Sequence, residues 1–182
     1  MSSVSPLMIG FHMGPTATPV RIADAVLHYV DRYRQRQPNS REAGGGLFMR
    51  PDVDGLLLAC ATGPYPTDSH SRYHFHVDLA PLNADIEQLR RAEHYFVGMW
   101  HTHPEVRPSP SIRDLEAMRR LFCNNEHTLT AMLMMIVGTS DQRSDIWLSL
   151  HTATMYECVI AKEISANAII HSHSRWVSRL QR

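Results

Sequence analysis

No apolar run in this 182-residue chain approaches the roughly 20 residues that a membrane-spanning helix needs. The first fifteen residues, MSSVSPLMIGFHMGP, have neither the basic start nor the long apolar stretch of a secretory leader. Cysteine is scarce. Cys60, Cys123 and Cys158 are odd in number, widely spaced and form no Cys-x-x-Cys pair, which argues against a disulfide framework and against a thiolate metal site. Cys60 and Cys158 lie in strand-like apolar runs and are expected to be buried as small hydrophobes. Neither sign of charge prevails, with 18 Lys+Arg against 18 Asp+Glu. The composition therefore gives no footing for nucleic acid or an anionic membrane, both of which require a basic patch. Repeats and low-complexity tracts are missing too. What remains has an ordinary globular make-up, 43% hydrophobic and 20% charged, long enough to bury the core of one domain. Its expected compartment is the reducing cytoplasm.

Residues 1–17 read as a short arm, 18–162 as the folded domain and 163–182 as a tail or final helix. Thr18-Pro19 resembles an N-cap with proline at the first helical position. Ile22, Val26, Val30 and Tyr33 follow at helical spacing, which predicts an amphipathic helix over 19–34. Segments 46–50 and 55–62, joined by a turn from Pro51 to Gly55, predict a hairpin. Residues 63–72 read as a loop and 73–79 as a strand. Asn83 is the expected cap of a second helix ending near His94. A strand from Tyr95 to Trp100 runs into His101-Thr102-His103-Pro104. Prolines keep 104–110 a loop, and a third helix starts at Ser109-Pro110 or Ser111, with Leu115, Met118 and Phe122 on its apolar side. Residues 131–138, AMLMMIVG, suit a central strand buried on both faces, with Met132, Met134 and Met135 in the core. Strands near 145–152 and 155–161 complete an α/β domain, a mixed β-sheet flanked by helices.

Twelve histidines are many for this length, and spacing must select among them. His101 and His103, two apart at the end of a strand, point to one face, where two imidazoles can grip one cation. Pro104 stops the strand there. Ser111 and Asp114, three apart on the first turn of a helix, also share a face. His, His and Asp are three ligands of a kind zinc accepts, and a catalytic zinc keeps its fourth position for water, whose pKa it lowers toward neutrality. A carboxylate outside the ligand set is then needed to take the water's proton and later protonate a leaving amine. Glu42, just before Gly44-Gly45-Gly46 and an apolar strand, is the candidate. Each element has a plainer reading: two exposed histidines, a capping box at Ser111-x-x-Asp114, a glutamate before glycines. The combination, His-x-His-Pro, six residues, then Ser-x-x-Asp in the order strand, loop, helix, favours the metal site. His74-Phe75-His76 has the same spacing but no third ligand nearby in sequence, so it reads as surface or cleft-lining. His171 and His173 read as solvated. Trp100, by alternation, turns away from the metal into the core. Glu105 and Arg107 either touch a substrate or face solvent.

His101-Thr102-His103-Pro104, followed by Ser111-Ile112-Arg113-Asp114 and preceded by Glu42-Ala43-Gly44-Gly45-Gly46-Leu47, resembles the signature of JAMM (JAB/MPN) zinc metalloproteases over roughly residues 19–160. The resemblance implies a cytidine-deaminase-like α/β fold. It also implies Zn2+ on His101, His103 and Asp114, Glu42 as acid/base and Ser111 as oxyanion donor. By analogy, the scissile bond is an isopeptide or peptide bond after the C-terminus of a ubiquitin-like protein. The phrases Gly98-Met-Trp-His-Thr-His-Pro-Glu105 and Pro108-Ser-Pro-Ser-Ile-Arg-Asp114 are similar to a narrower group. These are compact bacterial JAB proteins found beside activating and conjugating enzymes, including the deconjugase of CBASS antiphage operons, whose target is a CD-NTase joined to proteins through its C-terminus. The substrate tail is expected to lie extended between segments 64–80 and 104–110.

Two other readings compete. A hydrolase acting on a sulfur-carrier protein would use the same site, and gene neighbourhood would separate the two. A non-catalytic MPN-type scaffold would have lost ligands, whereas all five positions are filled here. A zinc nucleoside deaminase is excluded by the missing Pro-Cys-x-x-Cys. Oligomeric state is left open.

Overall fold

In the computed structural model, which describes residues 7–12, 17–52, 55–125, 127–159 and 161–163, the chain starts with strands β1 (Leu7–His12) and β2 (Ala17–Ile22) and helix α1 (Asp24–Asp31). The hairpin β3 (Gly44–Asp52) and β4 (Gly55–Ala61) follows, then short strands β5 (Ser69–Ser71) and β6 (His74–His76) and helix α2 (Leu79–Arg90). Strand β7 (Tyr95–Thr102), helix α3 (Ile112–Cys123) and strands β8 (Met132–Val137), β9 (Trp147–His151), β10 (Tyr156–Cys158) and β11 (Ala161–Glu163) complete it. The two histidines of the C-terminal tail, His171 and His173, lie outside the described residues.

Nine strands form one mixed sheet in the order β10-β9-β8-β7-β3-β4-β2-β1-β11, with β7–β8 and β2–β4 parallel and the other neighbours antiparallel. β5 and β6 make a separate two-stranded hairpin. The core follows the period-2 logic of a strand. Along β8, Leu133, Met135 and Val137 face the cluster that holds Val26, Leu27 and Val30 of α1, while Met132, Met134 and Ile136 face Met118 of α3. One helix thus covers each face of the central strand, and a run of six buried residues needs both covers. Trp100 is fully buried on the α1 side, edge-on to Tyr29 and tilted against Tyr33, and its indole N–H donates to the Thr62 carbonyl.

The expected helix over 19–34 is two elements. Residues 17–22 are β2, and only 24–31 are helical. Val20 and Ile22 satisfy strand alternation as well as Ile22, Val26 and Val30 satisfy helical spacing. Parallel pairing of Val20 with Leu56 and Ile22 with Leu58 decides between them. Pro19 therefore sits in a strand, opposite Gly10, and not at a helix start. Residues 7–12, assigned to the arm by sequence, are a strand paired with β2 and β11. Asp78, not Asn83, caps α2, its side chain accepting from the Ala80 N–H. Within 63–72, read as a loop, residues 69–71 form β5. Cys60 is half-buried and Cys158 is exposed on an edge strand, against the burial expected for both. Among the described residues no helix is long and apolar enough to cross a membrane.

Candidate metal centre

β7 carries His101 in register with Gly44 of β3 on one side and Ile136 of β8 on the other, which places its C-terminal end in the middle of the sheet. The backbone holds the turn that follows: the His103 N–H donates to the Val137 carbonyl. His101 and His103 are each only 8% exposed, although histidine is polar. Their Nε2 atoms lie 3.1 Å apart. Asp114, on the first turn of α3, brings Oδ1 to 3.5 Å from His101 Nε2 and Oδ2 to 3.5 Å from His103 Nε2. Among the described residues these three are the one group whose ligand atoms gather closely enough to hold a metal ion. Two imidazole nitrogens and a carboxylate converging in a buried site suit a cation, which would satisfy all three lone pairs together.

Ser111 is the N-cap of α3, and its hydroxyl oxygen accepts from the Asp114 N–H while Asp114 Oδ2 accepts from the Ser111 N–H. The capping box and the ligand position use the same pair of residues. The cap fixes the Asp114 rotamer, and the Ser111 hydroxyl, a donor as well as an acceptor, stands beside the Asp114 carboxylate. Glu105 stands with Oε2 at 3.4 Å from His103 Nδ1, on the far side of the ring. A carboxylate there orients the imidazole and raises its basicity.

Glu42 is 5% exposed, and its Oε1 lies 3.9 Å from His103 Nε2, beside the ligand group but outside it. Its neighbour Ala43 is bound on both polar groups by Thr102: the Ala43 N–H donates to Thr102 Oγ1, and the Thr102 N–H donates to the Ala43 carbonyl. The glycines after it serve close approach. A Cβ on Gly45 would sit 1.8 Å from the Thr62 carbonyl oxygen, and one on Gly44 would sit 2.5 Å from the Phe75 ring. Burial pushes the Glu42 carboxyl up to about 7, with Asp114 and Glu105 adding to the rise and His103 opposing it. Burial would also raise Asp114, but hydrogen bonds from His101 and His103 outweigh it and hold that carboxyl well below the usual range. For His103, burial works against the proton and is outweighed by Asp114, Glu42 and Glu105, which raise its pKa. One carboxylate is thus held ionised against the imidazoles, and the other is poised to exchange a proton near neutrality.

Of the five residues singled out by sequence, the structure gathers Glu42, His101, His103 and Asp114 within a few ångströms, with Ser111 capping the helix that delivers the last. His74 and His76 are exposed on β6. The structure adds what sequence reading passed over. The Glu42 N–H donates to the Ser71 carbonyl at 2.7 Å, and the Glu42 carbonyl accepts from His70 Nδ1 at 2.9 Å. A short histidine-bearing strand in a polar segment carries no sequence signal for that contact.

A mixed sheet covered by helices, a buried His-x-His with an aspartate from the following helix, and a separate buried glutamate define a JAB-type α/β domain. The chain belongs to the prokaryotic homologs of the JAB domain, whose family profile matches residues 24–150. It is 46% identical over 129 residues, 66% of this chain and 76% of the relative, to a CD-NTase/cGAS isopeptidase of Vibrio cholerae serotype O1. A CD-NTase/cGAS isopeptidase of Escherichia coli is 29% identical over 132 residues, 71% of this chain and 80% of that one. A solution structure of a protein from Desulfitobacterium hafniense shares the fold, with a TM-score of 0.54 at 22% identity over 79% of this chain and 90% of that one.

Proposed function

We propose that this protein is a zinc-dependent isopeptidase that cuts the bond after the C-terminal carbonyl of a CD-NTase or ubiquitin-like protein joined to a lysine amine, in bacterial antiphage defence. The observation that carries the reading is a buried carboxylate, Glu42, at 3.9 Å from a ligand imidazole and outside the ligand set. The 3.1 Å between the two Nε2 atoms is close to the edge of about 3.3 Å that zinc–ligand bonds of about 2.0–2.1 Å give a tetrahedron, and each histidine has one Asp114 oxygen 3.5 Å away, Oδ1 for His101 and Oδ2 for His103. The names of the relatives supply the CD-NTase as the substrate class.

His101, His103 and Asp114 would hold the zinc, which when bound polarises a carbonyl and acidifies water. Glu42, in its ionised form, takes the proton of the attacking water. Water oxygen bonds to the scissile carbonyl carbon, and the Ser111 hydroxyl donates to the oxygen that becomes negative. As the C–N bond breaks, Glu42 returns the proton to the departing amine, leaving a free carboxyl terminus and a free lysine. A carboxyl whose pKa lies near 7 exchanges that proton in both directions at neutral pH. The tail would lie between the β5–β6 hairpin and the loop 104–110.

The test is cleavage of a fusion between a CD-NTase C-terminus, or a bacterial ubiquitin-like tail, and a reporter protein, by wild type and Glu42→Ala with measured zinc content. Zinc in both proteins with cleavage by wild type alone is the expected result. Equal cleavage by both would overturn the role of Glu42, and zinc in both without cleavage by either would overturn the substrate class.

A further inference from the structure

We infer that His70 is a positioning residue for Glu42, so that the β5–β6 hairpin is the second half of the mount that holds the general base against the metal ligands. The inference rests on the reading of Glu42 as the acid/base.

Residues 42 and 43 precede β3 and lack the ladder of a strand interior. Their polar groups are taken from two directions. Thr102, between the two ligand histidines, binds both the N–H and the carbonyl of Ala43. The hairpin binds both groups of Glu42: Ser71 accepts its N–H with a main-chain carbonyl, and His70 donates to its carbonyl through Nδ1. A carbonyl oxygen only accepts, so the ring must carry hydrogen on Nδ1. The base is thus fixed between the strand that carries the ligands and a hairpin that carries none.

The register of the hairpin shows that this face is turned to the site by construction. His70 pairs with Phe75, and the two share one face, while Ser71 and His74 pair on the other. The Phe75 ring occupies the space that a side chain at Gly44 would need, so the same face meets residues 42 and 44 together. The hairpin itself is anchored elsewhere. The Gln35 side-chain amide donates to the Arg72 carbonyl at 2.8 Å, and the Arg72 guanidinium donates to the carbonyls of Gln37 and Pro38 at 2.9 and 2.7 Å. Losing the His70 ring therefore leaves the hairpin tethered and removes the hold on the Glu42 carbonyl, while Ser71 and Thr102 keep the N–H groups of Glu42 and Ala43. A base that wanders by a fraction of an ångström costs turnover more than it costs ground-state binding of the tail.

The experiment compares wild type, His70→Leu and His70→Asn on the fusion substrate, with zinc content and thermal midpoints measured alongside. Leucine keeps bulk and loses the donor; asparagine places an amide N–H near the position of Nδ1. His70→Leu is expected to lower kcat about tenfold, the scale of one hydrogen bond, with KM within about twofold, zinc unchanged and the midpoint little altered. His70→Asn is expected to recover to within about threefold of wild type. Wild-type kcat in His70→Leu, a rise in KM alone, or equal losses in both variants would overturn the proposal. Long-range 15N–1H NMR of the His70 ring in the zinc-loaded protein is independent of any substrate. Hydrogen on Nδ1 is expected, and a ring bearing hydrogen on Nε2 alone would overturn the contact even if no fusion is cleaved. Failure of wild type to cleave would bear on the substrate class, and the ring tautomer would still decide the His70–Glu42 bond.

Discussion

Among the described residues, two strands carry or run into the pattern His-x-His. At the end of β7, His101 and, one residue past the strand, His103 are buried, with Nε2 atoms 3.1 Å apart and an Asp114 oxygen 3.5 Å from each. On β6, His74 and His76 also point to one face, but that face is solvent and the strand has a single neighbour, β5. The spacing is identical and gives each pair a common direction. Surroundings make the difference. β7 lies between β3 and β8, so its end is walled by other strands, and a helix starts eleven residues beyond His101 with its first turn aimed at the histidines. Low dielectric and convergent lone pairs make a candidate metal site of the first spacing, whereas the second lies open to water.

The sharpest test of that contrast is metal retention. His101→Ala, His103→Ala or Asp114→Ala should each lower bound zinc from one equivalent to below about a tenth after dialysis, and abolish cleavage with it, because three ligands are the minimum of a catalytic site. His74→Ala with His76→Ala should keep the full equivalent, read by atomic absorption. Loss of zinc in the latter pair would break the comparison. Glu42→Gln comes next: zinc stays, and kcat falls by roughly 10²–10⁴, the usual contribution of a general acid/base. Ser111→Ala should keep zinc and slow turnover by about 10²–10³ through loss of one oxyanion donor. Since Ser111 also caps α3, chemical denaturation should show a loss of about 1 kcal/mol as well. A mutant with lowered stability and unchanged turnover would reduce Ser111 to its cap.

The last test, of stability alone, concerns a buried histidine outside both pairs. His151, packed beside Ser149 and stacked on Tyr156, has its pKa pushed down to about 4 by burial. Its folded pKa lies below the unfolded value of about 6.5, so between those values the unfolded chain binds the extra proton. Stability from this group is complete above pH 6.5 and is lost as pH falls toward 4. Urea unfolding should show wild type losing on the order of 2 kcal/mol more than His151→Gln between pH 7 and pH 4.5, a difference that cancels the titration of the metal-site acids shared by both proteins.

Much of the site was legible before any coordinates. The strand, loop and helix that carry His101, His103, Ser111 and Asp114 stand at the expected positions, because an apolar strand ending in proline and a Ser-x-x-Asp cap are local signals. Helix α1 shows where such signals fail. Ile22 fits two periods, alternating with Val20 and at helical spacing with Val26 and Val30, and only the distant partners Leu56 and Leu58 choose the strand. Cys158 misled for a related reason. Its apolar neighbours predict burial, but β10 is an edge strand and leaves the thiol exposed. His70 left no trace in sequence because its role depends on a main-chain carbonyl 28 positions away.

By itself, then, the sequence determined the residue types of the candidate metal centre, their spacing and the elements that carry them, since those depend on neighbours three or four residues apart. Tertiary structure alone decided which His-x-His is buried, that Glu42 comes to 3.9 Å from His103, and that Thr102 and the β5–β6 hairpin hold it there. These are contacts between segments tens of residues apart, formed only when strands pair and water is excluded, and no local pattern encodes them.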